Sequence, residues 1–485
     1  MNTRRQFLSS IMSFGAFSAL RGFAAPAGSC LGPGARLKFG LLSDIHVSQW
    51  EGPKGCETFL AALRRFRDRE ADAVVIAGDL TNSSFIEELT FVAKAWYAVF
   101  PDDKLPNGRR VEKVFVGGNH EWEGWKYGRT GVRRFPDPEE LKRHLVPEHY
   151  AEVWKDLFRE DFAKAYRKDV KGYTFLCAHW PWHGKDGPAL ILREAPTLAK
   201  DKPFFYVQHP HPKGTVYHVD DGVADGSADA GGVTAALAKF PNAFAFSGHS
   251  HRSLTDERSI WQGAFTSVAT ATLRNVGATS GYENSGPMRN SEFKQMPYVS
   301  RNARQGQFVT VYDDRVVFER REFTTGKPLG DDWVVPLNGP DKPYAFAKRR
   351  AEERPAEFPA DAKVAVGAEY DGQNRGRQKR RQVKVTFPAA LPAAARGRAH
   401  GYEVQVLQTQ GDFVDLPLLT KRVFAPGYGF PDAADAPEVE LVLNAGELPH
   451  ECLLEFRAVA IGCFGARSRP ITSGRIKLKG TVVKW

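Results

Sequence analysis

Five short segments of this chain carry the residue types that hold metal ions and move protons. They are Ser43-Asp44-Ile45-His46, Gly78-Asp79, Gly118-Asn119-His120-Glu121, Gln208-His209-Pro210-His211 and Gly248-His249-Ser250-His251. Mixed carboxylate, imidazole and amide donors suit hard-to-borderline divalent and trivalent ions. In Asp44-x-His46 and His249-x-His251 alternate residues point the same way if the backbone is extended, so each pair supplies two ligands. Glycines ahead of Asp79, Asn119 and His249 allow tight turns and leave room beside the donors. One D-x-H means little, because short motifs recur by chance, but five such segments each closing an apolar run form a pattern.

The elements that must position these residues follow from the hydrophobic period. "RLKFGLLSDIH", "DAVVIAGDL" and "VEKVFVGGNHE" read as buried strands, separated by "CETFLAALRRFRDRE" and "IEELTFVAKAWYAVF" with helical spacing. Strands alternating with helices predict a layered α/β fold with a largely parallel sheet, whose chemistry collects at the carboxyl ends of the strands. Residues 122–169, rich in Trp, Tyr, Arg and Lys, are expected to form an insertion or flap over those ends. Strand patterns resume at "GYTFLCAHW", "KPFFYVQHPHP" and "NAFAFSGHSHRS", and "QFVTVYDDRVVFERREF" reads as a hairpin turning at Asp313-Asp314.

Motifs of the form D-x-H, G-D, G-N-H-E, H and G-H-x-H in this order resemble the calcineurin-like metallophosphoesterase superfamily over about residues 36–325. The resemblance implies a four-layer αββα sandwich with two metal ions at the sheet edge, of Fe, Mn or Zn type, divalent or mixed-valence. By position, Asp44, His46 and His251 match ligands of one ion; Asn119, His209 and His249 match ligands of the other; Asp79 matches the bridging carboxylate. His209 is preferred to His211 because it stands nearer the end of the apolar run "FFYV", separated from that run by Gln208 alone. His120 matches the superfamily's histidine that faces the leaving group. Two such ions lower the pKa of a shared water, and the bridging hydroxide attacks phosphorus of a phosphomonoester or phosphodiester. His120 then protonates the departing oxygen or stabilises its charge. Asn82 stands where purple acid phosphatases carry a metal-binding Tyr and protein Ser/Thr phosphatases an Asp, so the chain departs from both branches.

Other residues have plainer readings. His179 and His183 in "CAHWPWHGKDG" fit no ligand position of the superfamily and read as loop histidines. Trp122 and Trp125 either stack on a substrate or pack under the flap. The basic run "NRGRQKRRQVK" at 374–384 reads as a solvated face rather than a polyanion site.

The chain has 485 residues, 42% hydrophobic and 26% charged, which is the composition of a globular protein with more than one core. Its net charge of +10 favours acidic substrates only weakly. Residues 1–27 read as a signal peptide: Arg4-Arg5, an apolar stretch from Phe7 to Leu20, and an A-x-A site at Ala25-Pro26-Ala27. Thr3-Arg4-Arg5-Gln6-Phe7-Leu8 resembles a twin-arginine export signal, which implies a periplasmic, cell-surface or secreted location, with no transmembrane span in the mature chain. Five cysteines, Cys30, Cys56, Cys177, Cys452 and Cys463, make no disulfide framework. Cys452 and Cys463 flank one strand whose ends stand roughly 30 Å apart, beyond disulfide reach. Cys30 lacks the Leu three residues earlier that lipidation favours.

The metallophosphoesterase region is expected at 36–338, a Pro- and Ala-rich linker at 339–362, and a β-sandwich at 363–485, where short alternating strands replace the helical pattern. Near "LPHECLLEFRAVAIGCFGARSRPI" this last region resembles a fibronectin type III module, with Cys452 where that family keeps a corner Tyr. The reading is an exported dinuclear-metal phosphoesterase. The alternatives are an inactive surface-binding protein that works through the sandwich, and a secreted nuclease with nucleic acid as partner. Natural substrate and oligomeric state are left open by the sequence.

Overall fold

The computed structural model describes residues 34–48, 56–127, 134–219, 229–276, 282, 304–370, 381–392, 397–409, 417–428, 437–448 and 452–477. Both arginines and the apolar stretch of the signal reading, Cys30, and most of the basic run at 374–384 lie outside them.

Apolar runs at 37–42, 73–77 and 112–116 form β1 (Leu37–Leu42), β2 (Ala73–Ala77) and β3 (Glu112–Val116), linked by α1 (Glu57–Asp68) and α2 (Ile86–Val99). β1 pairs in parallel with β2, and β2 with β3. After β3 come α3 (Asn119–Glu123), α4 (Pro138–His144) and α5 (Tyr150–Phe158). A second sheet is built from β4 (Ala165–Val170), β5 (Tyr173–Ala178), β6 (Phe204–Val207), β7 (Ala243–Ser247), β8 (Ile260–Gln262) and β9 (Thr266–Ala269), with α6 (Asp186–Glu194) and α7 (Gly232–Leu237) between them. Its order is β4-β5-β6-β7-β9-β8, with β5, β6, β7 and β9 mutually parallel. The chain then returns to the first sheet with β10 (Gln305–Val311), β11 (Arg315–Glu322) and β12 (Trp333–Pro336), giving the order β12-β11-β10-β1-β2-β3. The β10–β11 hairpin turns at Asp313-Asp314 as expected, with Val311 opposite Val316.

Strand alternation assigns each side chain to a layer. Leu37, Phe39, Leu41, Val75, Ala77 and Val114 of the first sheet pack against Phe175, Cys177, Phe205, Val207, Phe244 and Phe246 of the second. The intervening Leu42, Val74, Ile76 and Phe115 face α1, α2 and α5 instead. On the far side Leu176, Tyr206 and Ala245 meet α6 and α7. The result is the four-layer αββα sandwich, with the carboxyl ends of both parallel cores at one edge. Burial of both strand faces explains why these runs read as continuously apolar.

Within the insertion or flap expected at 122–169, residues 150–158 are not a flap. Tyr150, Val153, Trp154 and Phe158 of α5 belong to the outer helical layer beside α2, since four large apolar residues on one helix face are more stable buried than draped over a polar edge. Trp122 meets Trp182 with ring centroids 5.1 Å apart, and Trp125 packs beside Phe85, Phe135, Leu141 and Leu145.

From 365 onward all sheets are antiparallel. β13 (Ala365–Tyr370), β14 (Arg381–Pro388) and β17 (Glu438–Asn444) form one. β16 (Pro417–Phe424), β15 (Gly401–Gln408), β18 (Leu453–Ile461) and β19 (Ile471–Lys477) form the other. Val383, Val385, Leu441 and Leu443 pack against Val404, Val406, Leu454 and Phe456 between them. Cys452 and Cys463 stand on either side of β18 and are not joined by a disulfide.

The segment 339–362 holds a helix, α8 (Phe346–Glu352), whose Arg349 pairs with Glu257, just before β8. Glu257 also pairs with Arg320 at 2.8 Å and accepts from Trp333 Nε1 at 3.1 Å. Burial opposes its ionisation, but the two guanidinium groups hold its carboxyl down at about 2. Nearby, Arg258 donates to Asp256 at 2.8 Å and to His400 Nε2 at 3.3 Å.

Candidate metal centre

Four strands and one strand-to-helix turn deliver the candidate ligands. Asp44 and His46 follow β1, Asp79 follows β2, Asn119 opens α3 after β3, His209 follows β6, and His249 and His251 follow β7. Two donor groups form at the shared edge: Asp44, His46, Asp79 and His251, and Asp79, His209 and His249. Asp79 is common to both.

In the first group His46 Nε2 and His251 Nε2 stand 3.0 Å apart. Asp44 Oδ1 is 3.0 Å from His251 Nε2 and 3.8 Å from His46 Nε2. In the second, His209 Nε2 lies 3.0 Å from Asp79 Oδ2 and 3.2 Å from His249 Nδ1. Ligands at about 2.0–2.2 Å from one ion are separated by roughly 3–3.5 Å, so these spacings suit coordination. The amide completes the test of fit. Asn119 is buried and its Oδ1 has no hydrogen-bond partner among the described residues. A buried carbonyl oxygen left unpaired costs about 1–3 kcal/mol, a cost that a cation removes. The donor set fits a dinuclear metal site.

Neighbouring carbonyls fix the imidazoles. A carbonyl only accepts, so His209 Nδ1 donates to Ala77 O (2.8 Å) and His251 Nδ1 to Asn275 O (2.9 Å). Both rings therefore turn Nε2 towards the other donors, as metal-binding histidines require. His120 Nδ1 likewise donates to Asn82 O at 2.6 Å, and its backbone N–H donates to Asp79 Oδ1 at 2.9 Å.

The charges also ask for cations. Burial works against ionisation of Asp44, yet His251, His46 and His209 hold it well below the usual carboxylate range. Burial likewise opposes ionisation of Asp79, which His209 and His120 nonetheless hold down. Burial pushes His46 and His249 down to about 4, whereas at His209 the carboxylates of Asp79 and Asp44 outweigh burial and raise it to about 9. Two buried carboxylates thus recruit a proton for charge balance, a place that metal ions take by displacing protons.

The expectation that D-x-H and H-x-H are extended is wrong. Asp44, His46, Asp79, His249 and His251 all have φ between 48° and 69°, in the left-handed region. Non-glycine residues rarely occupy it, and it clusters at functional sites where surrounding structure holds it. Each chain therefore leaves its strand and coils, which swings two donors from one segment inward. Glycine is required beside them: a Cβ on Gly78, at φ 95°, would collide with the ring of His209, and one on Gly118 with Asp79 Oδ1.

The structure brings together Asp44, His46, Asp79, His209, His249 and His251, with the His120 ring 4.4 Å from that of His46 and Asn119 preceding it at the start of α3. His211 stays out, bonded to Ser247 and Ser250 hydroxyls. His179 is not a plain loop histidine: it is buried, and its Nδ1 accepts the Gly117 N–H at 2.9 Å. His183 stacks on Trp180, whose ring lies 6.0 Å from that of His249.

Two supports escaped sequence reasoning. Glu121 accepts from Thr81 N (2.6 Å), Thr81 Oγ1 (2.8 Å) and Gly118 N (2.7 Å), tying the turn after β2 to the turn after β3. Its carboxyl rises to about 7, through burial first and then the neighbouring Asp79. The loop after β9 braces the other side: Thr272 Oγ1 donates to Asp44 O at 3.0 Å, and Ser43 Oγ donates to Ala271 O at 2.8 Å. The Glu in G-N-H-E was a visible signal; no local pattern marks the loop.

Residues 37–253 match the family model described as calcineurin-like phosphoesterase. The chain therefore contains a calcineurin-like metallophosphoesterase domain, the domain of metal-dependent phosphoric ester hydrolases. Among solved structures it is similar to a dimetal phosphatase from Danio rerio, at 11% identity and TM-score 0.35, over 63% of this chain and 100% of that one. A similar likeness holds for Vacuolar Protein Sorting 29 from Cryptosporidium parvum, at 10% identity and TM-score 0.28, over 63% and 100% of the two chains. No curated protein matches the chain.

Proposed function

We propose that this chain is an exported phosphoesterase that cleaves phosphomonoesters or phosphodiesters at a dinuclear site. The observation that carries the reading is Asp79 shared by two donor groups, and Asn119, next to the His120 whose N–H binds Asp79, buries an Oδ1 that has no partner among the described residues. Asp44, His46 and His251 would hold one ion, Asn119, His209 and His249 the other, and Asp79 both. Bound ions of Fe, Mn or Zn type would supply Lewis acidity toward the phosphoryl oxygens and lower the pKa of a nucleophilic water.

The chain's own residues supply positioning and a proton. His120 is oriented at two points, through its ring Nδ1–H and its backbone N–H, which leaves Nε2 for the leaving-group oxygen. Glu121 holds the glycine turn that carries it. The Arg4-Arg5 signal supports export by a twin-arginine route, and among the described residues no helix is long and apolar enough to cross a membrane. The two antiparallel sheets of the C-terminal region support an accessory fibronectin type III-like sandwich that contributes no donor to either group.

Metal analysis of the purified chain, combined with turnover of a monoester, a diester and a nucleic-acid substrate, tests this reading. About two ions per chain with metal-dependent turnover of a small ester is the expected result. A chain that neither binds added Mn²⁺ or Zn²⁺ nor hydrolyses any of the three refutes it.

A further inference from the structure

The amide of Asn119 can be placed with either end toward the donor groups, and only one placement serves a cation. Which end turns inward is decided at Tyr127, just beyond α3. The Tyr127 hydroxyl donates to Glu123 Oε1 at 2.9 Å, so its single proton is committed to that carboxylate. Toward Asn119, 3.1 Å away, the phenol oxygen has only lone pairs to offer. An acceptor there pairs with Nδ2–H and repels Oδ1. The amide nitrogen is held by the phenol oxygen, and the carbonyl oxygen at the other end of the amide is buried with no hydrogen-bond partner among the described residues.

We propose that Tyr127, with Glu123, is a positioning residue that sets the orientation of the Asn119 amide and thereby the affinity of the ion that Asn119 holds. This rests on the dinuclear reading above. The parts are arranged for it. Glu123 and Tyr127 are four residues apart, so the pair forms locally as soon as this stretch folds. Lys126 Nζ lies 3.5 Å from the other Glu123 oxygen and keeps that carboxylate an acceptor. Without the phenol oxygen, Nδ2 loses its partner, and a rotated amide would point N–H groups at the cation. Asn119 then becomes a poor ligand although its identity is unchanged. Partners of this kind typically alter metal affinity by about 10–100-fold.

The test is titration of the metal-free full chain with Mn²⁺, reading free ion by electron paramagnetic resonance. Wild type, Tyr127→Phe, Glu123→Gln and Asn119→Ala are compared, with thermal melting of each metal-free protein alongside. Tyr127→Phe should weaken one of the two equivalents about ten-fold or more, the same one that Asn119→Ala weakens, and leave the other unchanged. Glu123→Gln should weaken it less, because its amide oxygen can still accept the phenol proton. Metal-free melting of Tyr127→Phe should match wild type, since the hydroxyl lies at the edge of the site and not in a core. If wild type binds two ions and Tyr127→Phe binds both as tightly, the inference is wrong while the functional reading stands. A uniform weakening of both equivalents with a lowered melting temperature also overturns it, by showing a general structural role. Failure of wild type to bind two ions counts against the functional reading itself.

Discussion

Exchange of Asp79 for asparagine removes one charge with almost no change of shape. The backbone N–H of His120, 2.9 Å from Oδ1, should keep the amide oxygen on its own side. The new NH₂ then takes the place of Oδ2, 3.0 Å from His209 Nε2 and 3.6 Å from His46 Nε2. An acceptor common to both donor groups becomes a donor. An ion seated among these atoms lies no farther from Oδ2 than they do. At about 3.5 Å and an effective dielectric near 20, a unit charge pair is worth about 5 kcal/mol. Each 1.4 kcal/mol is a factor of ten, so the loss is about three orders of magnitude in affinity, and more for a doubly charged ion. Relaxation and entering water will recover part of this, which leaves three orders as the working figure. Asp79→Asn should therefore emerge from gel filtration with its metal content greatly reduced, and its turnover of a small ester should fall in proportion. Calorimetric titration with Zn²⁺ measures the affinity directly. Two ions bound with wild-type affinity would refute the assignment of Asp79 and the reasoning that joins the two groups through it.

Three further outcomes are expected. His120→Ala should keep both ions but lose about 10²–10⁴-fold in kcat on alkyl phosphoesters, and far less on a nitrophenyl ester whose leaving group needs no proton; equal losses on both would assign His120 a positioning role only. Burial, reinforced by Arg258 and Arg252 and opposed by Asp256, holds His400 down at about 4 against an ordinary 6.5. The unfolded chain therefore binds the extra proton between those values, so folding stability should fall by about 3 kcal/mol as pH drops from 6.5 through 4, and His400→Gln should flatten that part of the pH–stability curve of the metal-free protein; superimposable curves would contradict the sign. Replacing both Arg4 and Arg5 with Lys should leave precursor in the cytoplasm, folded and metal-bound, as fractionation and metal analysis would show; normal export would mean that the pair is not the signal.

The sequence by itself determined the strands, the glycine-punctuated strand ends and which polar residues stand at them. These are local properties: a buried strand needs a continuous apolar run, and a donor crowded against another chain needs glycine beside it, as at Gly78 and Gly118. His209 stands two residues beyond "FFYV" and is held at the sheet edge by Ala77 O, whereas His211 bonds serine hydroxyls. Only the tertiary structure decided how the donors converge. The left-handed backbone at Asp44, His46, Asp79, His249 and His251 opposes local preference and persists because bonds from distant segments hold it, such as Asp44 N–H to Gly78 O at 3.0 Å and Thr272 Oγ1 to Asp44 O. A flap became a packed layer, because α5 could bury Trp154 and Phe158 against α2. Within the segment expected as a linker, a helix places Arg349 in a part-buried pair with Glu257, 92 residues away in the chain. The hydroxyl of Tyr127 is placed by the fold in a way that no spacing announces, because a hydrogen bond's meaning depends on which partner has already used the proton.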